Sequence, residues 1–260
     1  MSVANEIQRI IDAKTSIKSA IENKGVEVGN GTIDTYPAKI EQISNGGTTV
    51  TKGLRIDKYD SNGYATEITI LGLKELPTYY LNTAGKGWCK GSSVKVNLPN
   101  NLWKINEYAF AEFTNLEVIN IPDTVEYFGD RVFYNNKKMP LDKLPPNLKG
   151  SGNYCYYNCA LVSFSTIPKG ITILWQNEYY GCKGITELTC EGNITQVSAN
   201  CFTNSGLKKI SFPNNTQVPS VQTTSFNNTP LERIEVPSAL LDQWKTATNW
   251  SAKASIIVGI

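Results

Sequence analysis

The stretch NLPNNLWKINEYAFAEFTNLEVINIPDTVEYFGDRVF, residues 97–133, contains one pattern twice. Leu98 precedes a proline and is followed by the aromatic residue Phe110, and Ile121 precedes a proline and is followed by Phe133. The apolar-proline step and the aromatic residue therefore recur together at a fixed interval. An interval between about 20 and 50 residues is the sequence signature of a repeat protein.

Two columns of residues extend this pattern along most of the chain. The apolar position recurs every 22 to 24 residues, at Leu76, Leu98, Ile121, Leu144, Ile167, Cys190, Phe212 and Val236. The aromatic position recurs in step, at Trp88, Phe110, Phe133, Tyr156, Tyr179, Phe202 and Phe226. A single coil cannot bury its own apolar face, so each coil must pack on its neighbours. The sequence predicts a right-handed, mainly β repeat solenoid of about seven to eight coils over residues 50–237, with the aromatic residues in its interior.

Composition narrows the possible functions. The 260 residues are 40% hydrophobic and carry a net charge of +2, so we expect a folded chain and no nucleic-acid partner. The chain contains no histidine, which removes Ser-His-Asp catalysis and histidine-ligated zinc. No apolar run is long enough for membrane insertion, and the N-terminus lacks the apolar core of a signal peptide, so we do not expect export by the usual route. The sequence predicts no enzyme, no cofactor and no metal site.

The two ends differ from the repeats. Residues 1–45 predict a small α-helical N-terminal module, because isoleucines recur at helical spacing, at Ile7, Ile10, Ile11, Ile17 and Ile21. We call this narrow row of isoleucines the docking seam. It predicts an anchor, formed by a coiled coil or by docking to a partner; alternatively, the helix folds back on the solenoid. Residues 238–260 predict a cap in which Leu240, Leu241 and Trp244 cover the last coil and a final strand follows.

The repeat resembles a known family, the BspA-type leucine-rich repeats. The match is best over residues 97–122, where the family positions are filled by Ile105, Ala109, Phe110, Leu116, Ile119, Ile121 and Pro122. The resemblance implies a surface for adhesion or recognition. Residues 1–45 resemble the N-terminal module of bacteriophage tail and minor structural proteins.

The second resemblance implies a non-enzymatic virion protein, a fibre, tail or decoration component, that docks through its N-terminal helices. Its expected partners are other virion proteins, a host cell-surface glycan or protein, and further copies of the chain, with a trimer favoured. The alternative function is a BspA-like adhesin on a bacterial cell surface. A polysaccharide-cleaving enzyme is a third possibility.

Two candidate binding surfaces follow from the repeat. Four residues before each proline step the side chain is expected to point out of the sheet, which predicts an exposed apolar patch of Val118, Leu141 and Phe164. Alternatively, a slip of one residue turns Leu141 and Phe164 inward and leaves Asp142 and Ser165 outside.

The second surface is on the turns. Tyr157 and Tyr180 recur 23 residues apart beside the aromatic column, and exposed tyrosine next to asparagine suits recognition of a sugar or a protein. Packing between coils explains these tyrosines equally well.

Cysteines and acids do not predict a chemical site. Five of the six cysteines fit the repeat as small buried hydrophobic residues, with Cys159 and Cys182 stacked on adjacent coils. Paired carboxylates can cleave a glycosidic bond, and adjacent coils offer four acids. All four lie in turn or outward positions and are predicted to be solvated: Asp123, Glu126, Asp130 and Asp142.

Overall fold

The computed structural model describes residues 14–15, 17–18, 53–62, 64–81 and 92–260. Within these ranges the chain forms a mainly β solenoid of about seven turns, which confirms the predicted solenoid, while nearly all of the predicted N-terminal helical module lies outside the described residues. Its short strands, in chain order, are β1 (Gly53–Tyr59), β2 (Ala65–Leu71), β3 (Glu75–Leu76), β4 (Lys95–Asn97), β5 (Lys104–Ile105), β6 (Val118–Ile119), β7 (Tyr127–Phe128), β8 (Thr166–Ile167), β9 (Ile173–Leu174), β10 (Glu187–Cys190), β11 (Gln196–Val197), β12 (Lys209–Ser211), β13 (Ser220–Val221), β14 (Arg233–Val236) and β15 (Ile257–Gly259). None of the helices in the described part of the chain is long and apolar enough to cross a membrane.

Most coils contribute a short strand to each of two faces. The first face, which carries the apolar-proline steps, has the strand order β1-β2-β4-β6 and then β8-β10-β12-β14-β15. The second face has the orders β3-β5-β7 and β9-β11-β13. All neighbours pair in parallel except β1 and β2, as expected when equivalent segments of successive coils stack.

The predicted place of Leu76 in the apolar-proline column is wrong. Residues 53–71 form an antiparallel hairpin, and its second strand pairs with β4. Leu76, predicted to stack under Leu98, instead pairs with Ile105 on the second face. Tyr79 correspondingly donates its N–H to the carbonyl of Glu107, so the first coil is longer than the others. Trp88, predicted to begin the aromatic column, lies outside the described residues.

The interior aromatic column is confirmed from Phe110 onward. Consecutive rings stack nearly parallel, with centroids 5.3 to 5.8 Å apart. The column consists of Phe110, Phe133, Tyr156, Tyr179, Phe202 and Phe226, and all six side chains are buried. Burial of these large apolar rings stabilises the folded state, and the stacking contacts between them add to this stabilisation. This column fixes the register of one coil on the next.

The turn that carries each interior ring is also hydrogen-bonded from coil to coil. The N–H groups of Arg131, Phe133 and Asn135 bond to carbonyls of the next coil at 2.8 to 2.9 Å. Arg131 and Asn135 have positive φ angles of 54° and 62°. Equivalent residues of other coils share this left-handed conformation, at Tyr108, Tyr154, Asn177 and Asn200 and at Glu112, Asn158, Gly181, Asn204 and Asn228. The repeated left-handed residues therefore belong to the ladder that joins the coils.

The first face is interrupted between β6 and β8. Residues 139–145 contain no strand and make only an isolated bridge between Leu141 and Val162. One coil earlier, Glu117 donates its N–H to the carbonyl of Val94. Pro140 occupies the equivalent place 23 residues later and has no N–H to donate, so this bond of the ladder is missing.

Two tryptophans close the C-terminal end. A 3-10 turn at Ser238–Leu240 leads into helix α1 (Leu241–Thr246), and a second 3-10 segment at Ser251–Ile256 precedes β15. Trp244 packs 5.1 Å from Phe212 and 4.7 Å from Trp250 between ring centroids. The indole N–H of Trp250 donates to the carbonyl of Pro219 at 2.7 Å. Together with β15, these rings cover the apolar end of the last coil.

The aromatic column generates a stability prediction. We expect Phe133→Ala to lower the free energy of unfolding by about 3–5 kcal/mol, because the change leaves a cavity between two stacked rings. The exposed Val118 is the matched control, and Val118→Ala is expected to change stability by less than about 0.5 kcal/mol. Urea denaturation followed by circular dichroism measures both. Equal losses in the two variants would contradict the role given to the column.

Candidate recognition surface

A column of aromatic and arginine side chains lies on the turns beside the interior rings. The rings of Tyr79 and Tyr108 stack with centroids 4.4 Å apart. The guanidinium carbon of Arg131 lies 5.3 Å from the centroid of Tyr108 and 4.5 Å from that of Tyr154. Its Nη1 also donates a hydrogen bond of 2.7 Å to the Tyr108 hydroxyl. Arg131 thus joins two tyrosines by cation-π contacts.

A second column runs alongside the first. Tyr134 stacks on Tyr157 at 5.0 Å between centroids, and Tyr157 stacks on Tyr180 at 4.6 Å. Asn204 ends the column by donating to the Tyr180 hydroxyl at 2.7 Å. Tyr154 joins the columns, since its ring lies 5.6 Å from that of Tyr157. We call the combined surface the tyrosine-arginine belt: Tyr79, Tyr108, Arg131, Tyr154, Tyr134, Tyr157 and Tyr180.

The belt presents ring edges and hydroxyl groups. Stacking within each column covers ring faces, so a sugar cannot lie flat on Tyr157, which has a ring on either side. Partial burial, together with the neighbouring Tyr180 and Tyr134, raises the pKa of Tyr157 above its usual value, so its hydroxyl remains protonated. The two predicted residues, Tyr157 and Tyr180, lie together in the belt, and their binding role stays a prediction. The other members were missed, although Tyr108, Arg131 and Tyr154 also recur every 23 residues.

The apolar patch predicted on the first face does not exist. Val118 is 48% exposed, but Leu141 and Phe164 are 6% and 1% exposed, so these two side chains face inward, as the alternative expected, although β8 keeps the 23-residue offset in its pairing with β10. Asp142 and Ser165 take the outward positions. Phe164 turns inward because it packs there against the interior column. Its ring centroid lies 5.7 Å from that of Tyr156 and 5.8 Å from that of Tyr179.

The predicted docking seam is described at one position. Ile17 is helical and 38% exposed, and its neighbours Lys14, Thr15 and Lys18 are helical as well. Ile7, Ile10, Ile11 and Ile21 lie outside the described residues. The docking and oligomerisation role of the seam therefore stays a prediction.

Three of the four candidate acids bond to basic or amide groups. Glu126 pairs with Lys149 at 2.8 Å, and Asp123 lies 3.8 Å from the Lys143 ammonium. The Asp130 carboxylate accepts the N–H of Asn153 at 2.8 Å. Asp142 is exposed. Three of the four acids are thus bonded to a basic or amide group, and the fourth is solvated.

The described cysteines are all buried as free thiols, as the repeat predicted: Cys155, Cys159, Cys182, Cys190 and Cys201. Cys159 and Cys182 occupy equivalent places, donating to the carbonyls of Phe133 and Tyr156 at 2.9 and 3.0 Å. Desolvation raises the pKa of Cys159 to about 12, so its thiol stays protonated. Among the described residues, no three side chains of the histidine, cysteine or acidic types come together as metal ligands.

The family model for the BspA type leucine rich repeat region matches six copies of the repeat, over residues 87–205 and 149–247. These ranges span more than half of the chain. The chain belongs to the BspA-type leucine-rich repeat family. No curated protein sequence matched it significantly.

Solved structures share this BspA-type fold at low sequence identity. A leucine rich repeat protein of T. pallidum is similar with a TM-score of 0.53 and 16% identity, over 75% of this chain and 93% of that one. A leucine rich cell surface protein from Faecalibacterium prausnitzii is similar with a TM-score of 0.51 and 19% identity, over 73% of this chain and 54% of that one. At these identities the likeness establishes the fold alone.

One coil of the BspA-type repeat contains a buried carboxyl group. Glu178 fills the interior position before the aromatic residue, where other coils have Ala109 or Cys155, and it is fully buried. It accepts the Trp175 N–H at 2.7 Å and bonds to the hydroxyl of Ser151. Desolvation raises its pKa to about 7, and these hydrogen bonds only partly oppose that shift. No ion pair of the described residues includes Glu178, so it is a structural acid inside the solenoid.

Glu178 predicts a pH-dependent stability. Its folded pKa lies above the ordinary value of 4.5, so its contribution to stability is greatest below about pH 4.5 and is lost as the pH rises to about 7. Glu178→Gln keeps similar hydrogen bonds and does not ionise. We expect the variant to gain about 3 kcal/mol relative to the wild type between pH 5 and pH 8, measured by urea denaturation at each pH. Parallel stability curves for the two proteins would contradict the prediction.

Proposed function

We propose that this chain is a non-enzymatic recognition protein that binds a protein partner at a cell surface through the tyrosine-arginine belt. The observation that carries the proposal is the left-handed backbone conformation of Tyr108, Arg131 and Tyr154, with φ angles of 54° to 58°. This conformation costs free energy for side chains of this size. Bulky residues rarely adopt this conformation, whereas asparagine tolerates it. Asn177 and Asn200 fill the same place in later coils. Large side chains held at a strained backbone position support a functional role.

The composition of the belt favours a protein as the partner. Tyrosine and arginine are enriched among the residues that dominate binding energy at protein interfaces. Stacking holds the side chains in place before binding, which lowers the entropy lost on association. Arg131 uses one N–H on the Tyr108 hydroxyl and has no acidic partner among the described residues, so other N–H groups are available to a carboxylate on the partner.

A surface adhesin fits this proposal better than a virion component. The similar F. prausnitzii protein is described as a leucine rich cell surface protein. The virion role rests on the resemblance of residues 1–45, and none of the comparisons supports it. The predicted trimer depends on the same segment.

The proposal predicts the behaviour of two variants. Fluorescently labelled protein is titrated onto cultured epithelial cells, before and after the cells are treated with protease. We expect Arg131→Ala and Tyr157→Ala each to weaken binding at least about tenfold, the effect of removing an important interface side chain. Tyr127→Ala is the matched control, since Tyr127 is an exposed tyrosine outside the belt.

Three results would overturn the proposal. The first is equal binding by the two belt variants and the control. The second is binding that survives protease treatment of the cells, because the partner would then not be a protein. The third is no binding by the wild-type chain. Circular dichroism spectra of all variants establish that a loss of binding is not a loss of fold.

A further inference from the structure

The interruption of the first face leaves a cleft that the belt does not use. The opening has a volume of about 430 Å³ and lies between the turns that follow β4 and β6 and the segment that carries Lys143. A cleft of this size is within the range of small-molecule sites, about 300–1,000 Å³. It lies beside the coil in which Pro140 interrupts the ladder.

Polar side chains line the cleft in two rows. Asn97 and Asn120 form one row, and Asn100 and Asp123 form the other. Members of a row are 23 residues apart, so they come from successive coils and lie about one strand spacing, roughly 4.8 Å, from each other. We call this opening the amide cleft.

Two amides of the cleft are not used to join coils. Several asparagine side chains of other coils bond to a neighbour one coil away, as Asn158 does to Asn135 at 3.1 Å and Asn228 to Asn204 at 3.2 Å. By contrast, the side chains of Asn100 and Asn120 form no hydrogen bond with any part of the chain that the structure describes. Asn97 lines the opening and donates to Thr69 at 3.1 Å and to Glu67 at 3.4 Å, while its amide oxygen accepts no hydrogen bond from the described residues. Three amides with unused hydrogen-bonding groups therefore meet at one opening.

The charges and the floor of the cleft define the ligand further. Asp123 and Lys143 are 3.8 Å apart and neutralise each other, so the cleft favours neither a cation nor an anion. The lining is mainly polar, and the half-buried Leu98, Ile121 and Pro122 supply a small apolar floor. An amide offers a donor and an acceptor side by side, which matches neighbouring hydroxyl groups of a ligand. The C–H face of a sugar ring would cover the apolar floor.

We propose that the amide cleft binds a neutral saccharide, with Asn100 and Asn120 hydrogen-bonded to its hydroxyl groups and Ile121 against its ring. The site is separate from the belt, and its ligand is of a different chemical class. The inference goes beyond the proposed function and does not depend on it.

Saturation-transfer NMR on the full chain tests the proposal. The probes are the methyl glycosides of glucose, galactose, mannose and N-acetylglucosamine and the β-linked disaccharides of these sugars, at millimolar concentration. We expect at least one probe to bind, and Asn120→Ala and Asn100→Ala each to weaken that binding about tenfold, as the loss of hydrogen bonds to a ligand predicts. Asn227→Ala, at an exposed asparagine of a distant coil, is expected to leave binding unchanged.

The amide cleft can be distinguished from an anion site and from the belt. The proposal is overturned if no saccharide binds, or if the cleft variants bind as well as the control variant. It is also overturned if inorganic phosphate displaces the saccharide, because the site would then take anions. Tyr157→Ala tests independence from the belt, and we expect it to leave saccharide binding intact. If Tyr157→Ala abolishes saccharide binding, the sugar is bound at the belt and the amide cleft is not the site.

Discussion

The stacking of each coil on the next, in register, is the constraint on which the whole structure depends. Neither a coil of about 23 residues nor its two-residue strands can bury enough apolar surface alone. The interior rings from Phe110 to Phe226 place an aromatic contact at every step, and backbone bonds between coils run beside them. Side chains equivalent in sequence therefore become neighbours in space. This relation turns a periodic sequence into continuous columns on the surface.

The same constraint explains why one proline has effects on both sides of the sheet. Pro140 removes a single N–H from the first ladder, and its coil forms a bridge where other coils form strands. Leu141 packs inward in this coil, and Phe164 packs inward in the next one. The outer side of the interruption opens beside Lys143. The filled core, the absent apolar patch and the cleft therefore all lie at or next to the coil that Pro140 interrupts.

The period, the interior column and the burial of the cysteines could be predicted from the sequence, because each depends only on which residues recur. The start of the solenoid could not, since Leu76 has the right residue type at the right interval and still belongs to the second face. The first coil is longer than the others, so the interval of 22 to 24 residues does not identify equivalent positions there. The left-handed positions were missed because Tyr108 and Arg131 are unusual residues for that conformation. Glu178 was missed because a charged residue at an interior position is visible only once the position is known to be buried.

Departures from the repeat concentrate in the N-terminal half of the solenoid. Coils after Glu187 form an uninterrupted sheet, and outward charges pair across it, as Lys209 does with Glu187 at 3.1 Å. Asparagine holds the left-handed positions there at low cost. Between residues 97 and 157, by contrast, bulky side chains take those positions and a proline breaks the ladder. A regular repeat is what stacking alone requires, and departures from it are expected at functional or strained sites. The recognition we propose through the belt and the cleft would account for these departures, while the regular coils and the tryptophan cap hold the irregular ones in register.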